Sequence, residues 1–185
     1  MPVKAEDAKE LLSIYEPYVR DTAISFEYEV PSLAEFQERI KNISSILPYI
    51  KAVEKGEILG YAYAGKFKNR KAYDWSVETT VYVRKDSRRA GIGRLLYNAL
   101  EKSLKEIGVL NMNACIAVPK GEDGHLGNDS FRFHQKMGFS LVGTFHNSGY
   151  KFNTWYDVVW MEKIIGEHNG NKENVRYGEW TAKNP

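Results

Sequence analysis

Apolar positions along this chain recur at two periods, near 3.6 and near 2, which predicts a domain mixing helices and strands. Helical spacing runs from Glu6 to Tyr15 and again from Ser32 to Ile46. The second run opens on Pro31-Ser32 with Glu35 three residues on, a capping-box pattern. Between the two lies "EPYVRDTAISFEYEVP", a long connection mixing aromatic and charged residues, and ordered connections of that length are often functional. Two strand-like runs follow, about Tyr49 to Glu54 and Ile58 to Lys66, joined as a hairpin through "KGE". A longer strand is expected from about Ala72 to Arg84. Its parity puts Trp75, Val77, Thr79, Val81 and Val83 on one face and Ser76, Glu78, Thr80 and Tyr82 on the other. That pattern reads as one core face and one polar face.

The most regular stripe comes next. Ile92, Leu95, Leu96, Ala99, Leu100, Leu104 and Ile107 recur at i, i+3, i+4 spacing, with Gly108 placed to end the helix. "NMNACIAV" then reads as a strand, Asn128 to Met137 as a short helix, and Phe139 to Tyr150 and Trp155 to Ile164 as two more strands. Residues 1–165 are expected to form a single α/β domain and 166–185 a mobile polar C-terminal tail, in which Trp180 is the residue suited to docking.

Length and composition narrow the class. At 185 residues with 43% apolar and 27% charged side chains the chain suits one ordinary globular domain with a real core. A net charge of +2 offers no electrostatic footprint for a dedicated nucleic-acid binder. The lone Cys115 rules out an internal disulfide, suits a reducing compartment and reads as core packing between apolar neighbours. With no apolar run near 18 residues and an opening "MPVKAEDAKELL" unlike a signal peptide, the expectation is a cytoplasmic protein without membrane partners. His125 has no paired metal-ligand spacing around it, so no metal is expected.

Candidate chemistry centres on "SRRAGIGRLLYNALEKSLKEIG", Ser87 to Gly108, where two arginines and two glycines stand between a strand and the regular helix. A helix N-terminus leaves backbone N–H groups unpaired and carries partial positive charge, and glycine lets a ligand approach closely. The segment therefore reads as a pyrophosphate cradle with Arg88, Arg89 and Arg94 as side-chain partners. A dinucleotide fingerprint would need glycine where Leu96 stands. A Walker A match at "GYAYAGKF" fails at Phe67, where Ser or Thr is required.

Arg88-x-x-Gly91-x-Gly93 resembles the acetyl-CoA motif of the GNAT N-acetyltransferase superfamily. The blocks "YDWSVETTVYVRKDSRRAGIGRLLY", "NDSFRFHQKMGF" and "GYKFNTWYDVVWMEK" are similar to those of the phosphinothricin N-acetyltransferase family within it, with a weaker likeness at "YEPYVRDTAISFE". The resemblance implies a GNAT fold, a mixed central β-sheet with a splayed strand pair flanked by helices, and acetyl-CoA between the diverging strands. It implies a pyrophosphate seat at Arg88, Arg89, Ala90, Gly91, Ile92, Gly93 and Arg94, with the pantetheine arm along Val81, Tyr82 and Val83 and near Asn128 and Ser130. Read alone, Asn128 is a helix N-cap, Glu78 a glutamate on a solvated strand face, and His134 an ordinary helix histidine. By the resemblance Glu78 is the catalytic base, and His134 stands where most of the superfamily has a tyrosine, as acid or base. Phe26, Lys68, Arg70, Tyr73, Thr80 and Tyr97 would surround the amine substrate, with Arg70 or Lys68 meeting its carboxylate.

The expected activity is acetyl transfer from acetyl-CoA to the primary amine of a small amino-acid-like compound. A protein or peptide N-terminus as acceptor, or a non-catalytic acetyl-CoA-binding protein, remain the alternatives at this point. The resemblance also suggests a homodimer. "PKGEDGHLGND", Pro119 to Asp129, is longer than the family's connection; it is expected to lie over the amine pocket and leaves the identity of the amine open.

Overall fold

The computed structural model describes residues 1–170 and 173–180. A single 3-10 turn, Ala5–Asp7, leads into helix α1, Ala8–Asp21, followed by α2, Leu33–Ser44. The hairpin β1, Tyr49–Glu54, and β2, Glu57–Lys66, comes next, then β3, Ser76–Val83, α3, Ile92–Ile107, and β4, Asn111–Val118. Helix α4, Asp129–Lys136, precedes a last hairpin of β5, Ser140–Lys151, and β6, Thr154–Ile164. The six strands form one sheet in the order β1-β2-β3-β4-β6-β5.

Local chemistry accounts for most of these boundaries. Ser32 Oγ accepts the Glu35 amide at 3.2 Å, giving half of the expected capping box, while the Glu35 carboxylate turns to Arg39 at 2.6 Å. Lys55 and Gly56, at φ 51° and 88°, make the two-residue primed turn of the first hairpin. Helix α1 runs past the expected Tyr15, through Pro17 to Asp21, because Tyr18 and Val19 extend the buried stripe of Ala8, Leu11, Ile14 and Tyr15. Packing on the sheet outweighs the lost hydrogen bond at proline.

Helices cover both faces of the sheet. Under α3, Val77, Leu96, Leu100, Leu104 and Met112 belong to one cluster; under α1 and α2, Leu11, Tyr15, Phe36, Ile40 and Tyr61 belong to another. The even-numbered face of β3 is therefore not solvated as expected. Tyr82 stands edge-on to Tyr15 and Tyr18, each at 4.9 Å between ring centres. In α3 the buried arc is Leu96, Tyr97, Leu100, Leu104 and Ile107, which leaves Leu95 outside it at 60% exposure.

The segment read as a mobile tail corrects in part. Val175 and Trp180 join the core under α3. Trp75 Nε1 donates to the Glu173 carbonyl at 2.9 Å, the Tyr177 hydroxyl to the Asp74 carbonyl at 2.7 Å, and the Gly178 amide to Ile46 at 2.9 Å. Polar composition hid two apolar anchors whose partners are far away in sequence. Residues 171–172 and 181–185 of that segment lie outside the described residues.

The sheet positions the site by failing in one place. Strands β3 and β4 pair in parallel only at Ser76–Glu78 against Asn111–Asn113. Asn113 Nδ2 then donates to the Val77 carbonyl and Thr79 Oγ1 to the Asn113 carbonyl, each at 3.1 Å, so side chains take the place of the next ladder rung. Beyond them β4 keeps its partner β6 through Val118, opposite Asp157, while β3 keeps β2 through Val83, opposite Gly60. The two strands diverge, and a gap opens in the middle of the sheet.

Candidate active site

The gap ends at the N-terminus of α3. After β3 the chain makes a 3-10 turn, Lys85–Ser87, and then turns back on itself through two residues with left-handed backbone, Arg89 at φ 64° and Gly91 at φ 84°. Gly91 is required there for its φ. The first helical bond runs from the Leu95 amide to the Gly91 carbonyl at 3.0 Å, so the amides of Ile92, Gly93 and Arg94 have no acceptor within the helix. Ala90, Arg88, Arg89 and Arg94 are exposed around this end, and the Arg88 guanidinium lies 4.8 Å over the Tyr18 ring. Gly93 has a different use from the one its motif suggests. A Cβ there would meet the Phe133 ring of α4 at 3.3 Å, so this glycine lets α4 close against α3.

The gap itself is a cleft of about 320 Å³. Ile24, Ser25 and Phe26 from the α1–α2 connection form one wall, Glu78 to Tyr82 another, and Ala114 to Ala117 of β4 the third, with Tyr97, Ser130 and His134 at the base. The Arg84 amide donates to Leu59 at 2.8 Å; by strand alternation the even residues of β3 bond to β2, while Val81 and Val83 turn their backbone groups to the gap. At Val83 both groups are already engaged: the Tyr18 hydroxyl donates to its carbonyl at 2.6 Å and accepts its amide at 3.2 Å.

Glu78 is the last residue of β3 paired to β4, and its carboxyl lines the cleft. Burial raises its pKa above the ordinary carboxylate value, against the opposing pull of the Lys68 ammonium. Lys68 Nζ sits 5.1 Å from the Phe67 ring centre and 5.9 Å from that of Trp160. Thr80 lines the cleft, whereas Lys68 is exposed and outside the lining. Arg70 and Tyr73 do not line it either: Arg70 caps the 3-10 turn Lys71–Tyr73 instead of continuing a strand, and both side chains are exposed away from the cleft lining. The shared parity of Lys68 and Arg70 was expected to put them on one side of an extended segment, but β2 ends at Lys66 and the chain bends through 67–70 before the turn.

On the opposite face of β3 lies a buried polar chain. His134 Nδ1 is 2.8 Å from the Ser130 carbonyl, which can only accept, so Nδ1 carries the proton. Nε2 then accepts the Tyr97 hydroxyl at 2.9 Å. Burial pushes the imidazole down from 6.5 to about 4, which leaves it neutral. The Tyr97 hydroxyl, its own pKa pushed well up by burial, also lies 3.2 Å from Thr79 Oγ1. Asn128 stands at the N-cap of α4 but makes no side-chain cap; it is exposed beside the Pro119–Asp129 connection.

Two expectations fail here. Cys115 is exposed, not core, and faces the cleft, because β4 has lost its β3 neighbour at that point; its thiol is pushed up to about 11, by burial first and by Glu78 second. Period alone cannot show that a central strand has an open flank. The Pro119–Asp129 connection does not cover the amine side either. None of its residues lines the cleft; it packs behind the wall, with His125 stacked on Phe152 at 3.8 Å and Leu126 clustered with Ala23 and Tyr156, against which Phe26 and Ala117 of the lining also pack, and it surrounds a hollow of its own. Among the described residues no three His, Cys, Asp or Glu side chains are grouped to hold a metal, and no helix is long and apolar enough to cross a membrane.

Known proteins share this arrangement. The family profile of the GNAT acetyltransferase domain matches residues 2–160. A phosphinothricin N-acetyltransferase of Streptomyces coelicolor is 37% identical over 168 residues, 89% of this chain and 94% of its own. A methionine sulfoximine/methionine sulfone acetyltransferase of Pseudomonas aeruginosa is 30% identical over 84% of this chain and 88% of its own. A phosphinothricin acetyltransferase of Sinorhizobium meliloti, solved with acetyl-CoA, superposes with a TM-score of 0.84 at 31% identity, covering 95% of this chain and 94% of the other. Sheet, splay and sequence agree along nearly the whole length, and the chain belongs to the GNAT acetyltransferase family.

Proposed function

We propose that this acetyltransferase moves the acetyl group of acetyl-CoA onto the amine of a small acidic amino-acid-like compound, of the phosphinothricin or methionine sulfoximine kind. The observation that carries the reading is Glu78, a carboxylate of raised pKa that lines a cleft where β3 and β4 diverge, with the Lys68 ammonium near enough to oppose the rise and the unpaired amides of the α3 N-terminus following β3 in the chain. A cleft of about 320 Å³ suits a small amine better than a peptide chain. Acetyl-CoA supplies the activated acyl group as a thioester.

In this reading Ile92, Gly93 and Arg94 offer amides to the pyrophosphate, with Arg88, Arg89 and Arg94 as counter-charges. Val81 offers its backbone to the pantetheine arm, and at Val83 that contact runs through the Tyr18 hydroxyl. Glu78 takes the proton of the attacking amine as the C–N bond forms and the C–S bond breaks. Tyr97 turns the one proton that it gives to His134 Nε2 in the resting site toward the departing sulfur. Lys68 meets the acceptor's acidic group, and Phe26 and Thr80 border the acceptor. We also place the enzyme in the cytoplasm, where its single thiol is compatible with a reducing medium, and infer a homodimer. The support for self-association is edge strand β5, which exposes Leu141, Val142 and Phe145 by more than half.

The test is thiol release across a panel of amino acids and their amide-blocked counterparts. Acidic acceptors should be preferred, and Lys68→Met should narrow that preference by about tenfold or more. Glu78→Gln should lower turnover about 100-fold while acetyl-CoA affinity holds. Wild-type turnover in Glu78→Gln would remove the base assignment.

A further inference from the structure

Lys151, near the end of β5, is the one lysine or arginine among the described residues that is buried, at 3% exposure. Its ammonium makes no ion pair of the usual kind. It donates to three backbone carbonyls, Val19 at 2.7 Å, Thr22 at 3.0 Å and Ser25 at 2.7 Å. An ammonium has three donors, and all three are used. A buried charge without such partners would be strongly destabilising. Burial lowers its pKa and the nearby Glu27 carboxylate raises it again.

The three carbonyls are not arbitrary. Val19 lies in the last turn of α1, whose carbonyls lack helical partners and carry partial negative charge. Thr22 is where the chain leaves the helix with extended backbone, and Ser25 belongs to the wall of the cleft. The lysine thus grips the path from helix end to wall at its start, middle and far end. Two residues earlier on the same face of β5, Gly149 makes a second grip. A Cβ there would sit 2.1 Å from the Phe26 ring, so the ring lies directly on the glycine backbone. From the other side the Ser25 hydroxyl meets the Tyr15 hydroxyl at 2.7 Å.

Resting on the reading of the cleft as the acceptor site, we propose that Lys151 is a positioning residue that sets the Ser25–Phe26 wall and with it the range of amines admitted. It touches neither substrate. It acts through the carbonyls of Val19, Thr22 and Ser25, which fix how far the wall stands from β3 and β4. The proposed cofactor cradle of β3, α3 and α4 shares none of these bonds, and its one contact from α1, Tyr18, is held separately by the Val83 backbone.

Lys151→Met keeps the length of the side chain and removes all three donors. The acceptor KM should rise by about 10-fold or more, and the preference between a short and a long acceptor should shift by a similar factor. Acetyl-CoA affinity by calorimetry and turnover at saturating acceptor should stay within about threefold of wild type. Gly149→Ala loosens the same wall from its Phe26 side and should give the same acceptor-only signature if Lys151→Met folds poorly. Amide hydrogen exchange gives a readout independent of activity: residues 23–27 should exchange faster in Lys151→Met while β3 stays protected. Unchanged exchange at 23–27, or equal losses for acceptor and acetyl-CoA, would overturn the positioning role. Failure of every amine in the wild-type panel would instead remove the acceptor reading, with the exchange result still deciding what Lys151 holds.

Discussion

His134 links the site to stability in a way that can be measured without any substrate. Its ring is 4% exposed, and its pKa falls from 6.5 to about 4 because burial disfavours the imidazolium. The unfolded chain binds a proton below pH 6.5 that the folded protein refuses until about pH 4, so stability falls as pH drops through that window. At about 1.36 kcal/mol per unit, the gap amounts to about 3 kcal/mol in full, and to about 2 kcal/mol by pH 5. His134→Gln removes the titration while keeping an acceptor for Tyr97 and a donor for the Ser130 carbonyl. Urea unfolding of both proteins from pH 7.5 to pH 4.5 isolates the effect, since the other carboxylates and histidines titrate in both and cancel in the difference. The stability of wild type relative to the variant should drop by about 2 kcal/mol between pH 7.5 and pH 5. A flat difference, or an imidazole resonance titrating near 6.5, would refute the neutral tautomer and with it the direction of the Tyr97 hydrogen bond.

Two further outcomes follow from the cradle and the C-terminal segment. Gly91→Glu places a Cβ at φ 84° and a negative charge beside the unpaired amides, so calorimetric binding of acetyl-CoA should fall by about 100-fold or more, with the fold retained by circular dichroism. Trp180→Ala should cost about 3 kcal/mol in urea unfolding, because a ring only 7% exposed leaves the core under α3, and acetyl-CoA affinity should not change.

Much of this architecture is legible in local pattern. The hairpin at Lys55-Gly56, the helix closed by Gly108 and the strand Asn111–Val118 are written in turn chemistry and period, which act over a few residues. The open helix N-terminus at Gly91 was legible for the same reason, since strand, glycine turn and helix adjoin in sequence. What escaped is long-range. Cys115 looked like core because its neighbours are apolar, yet its exposure depends on β3 leaving β4. Arg70 and Tyr73 looked like companions of Lys68 on an extended segment, but bends at 67–70 and a 3-10 turn at Lys71–Tyr73 stand there instead. Lys151 carries no local signal at all, as its carbonyl partners lie more than 120 positions away.

Where β3 and β4 part, two differently charged environments lie close together. Glu78 and Thr79 are consecutive, so their side chains point to opposite faces of the same strand. On the Glu78 side, pairing with Asn113 carries Cys115 to the same face, and Phe26 borders it; the environment there is polar enough to hold a carboxylate and partly open. On the Thr79 side the groups are buried and neutral, with Tyr97 between Thr79 and His134. In the proposed reaction the proton taken by Glu78 and the hydrogen bond given by Tyr97 come from opposite faces of β3. Both faces open onto the one cleft, whose lining includes Glu78, Tyr97 and His134; burial keeps the imidazole neutral, and Glu78 is near enough to Tyr97 to push its hydroxyl pKa further up.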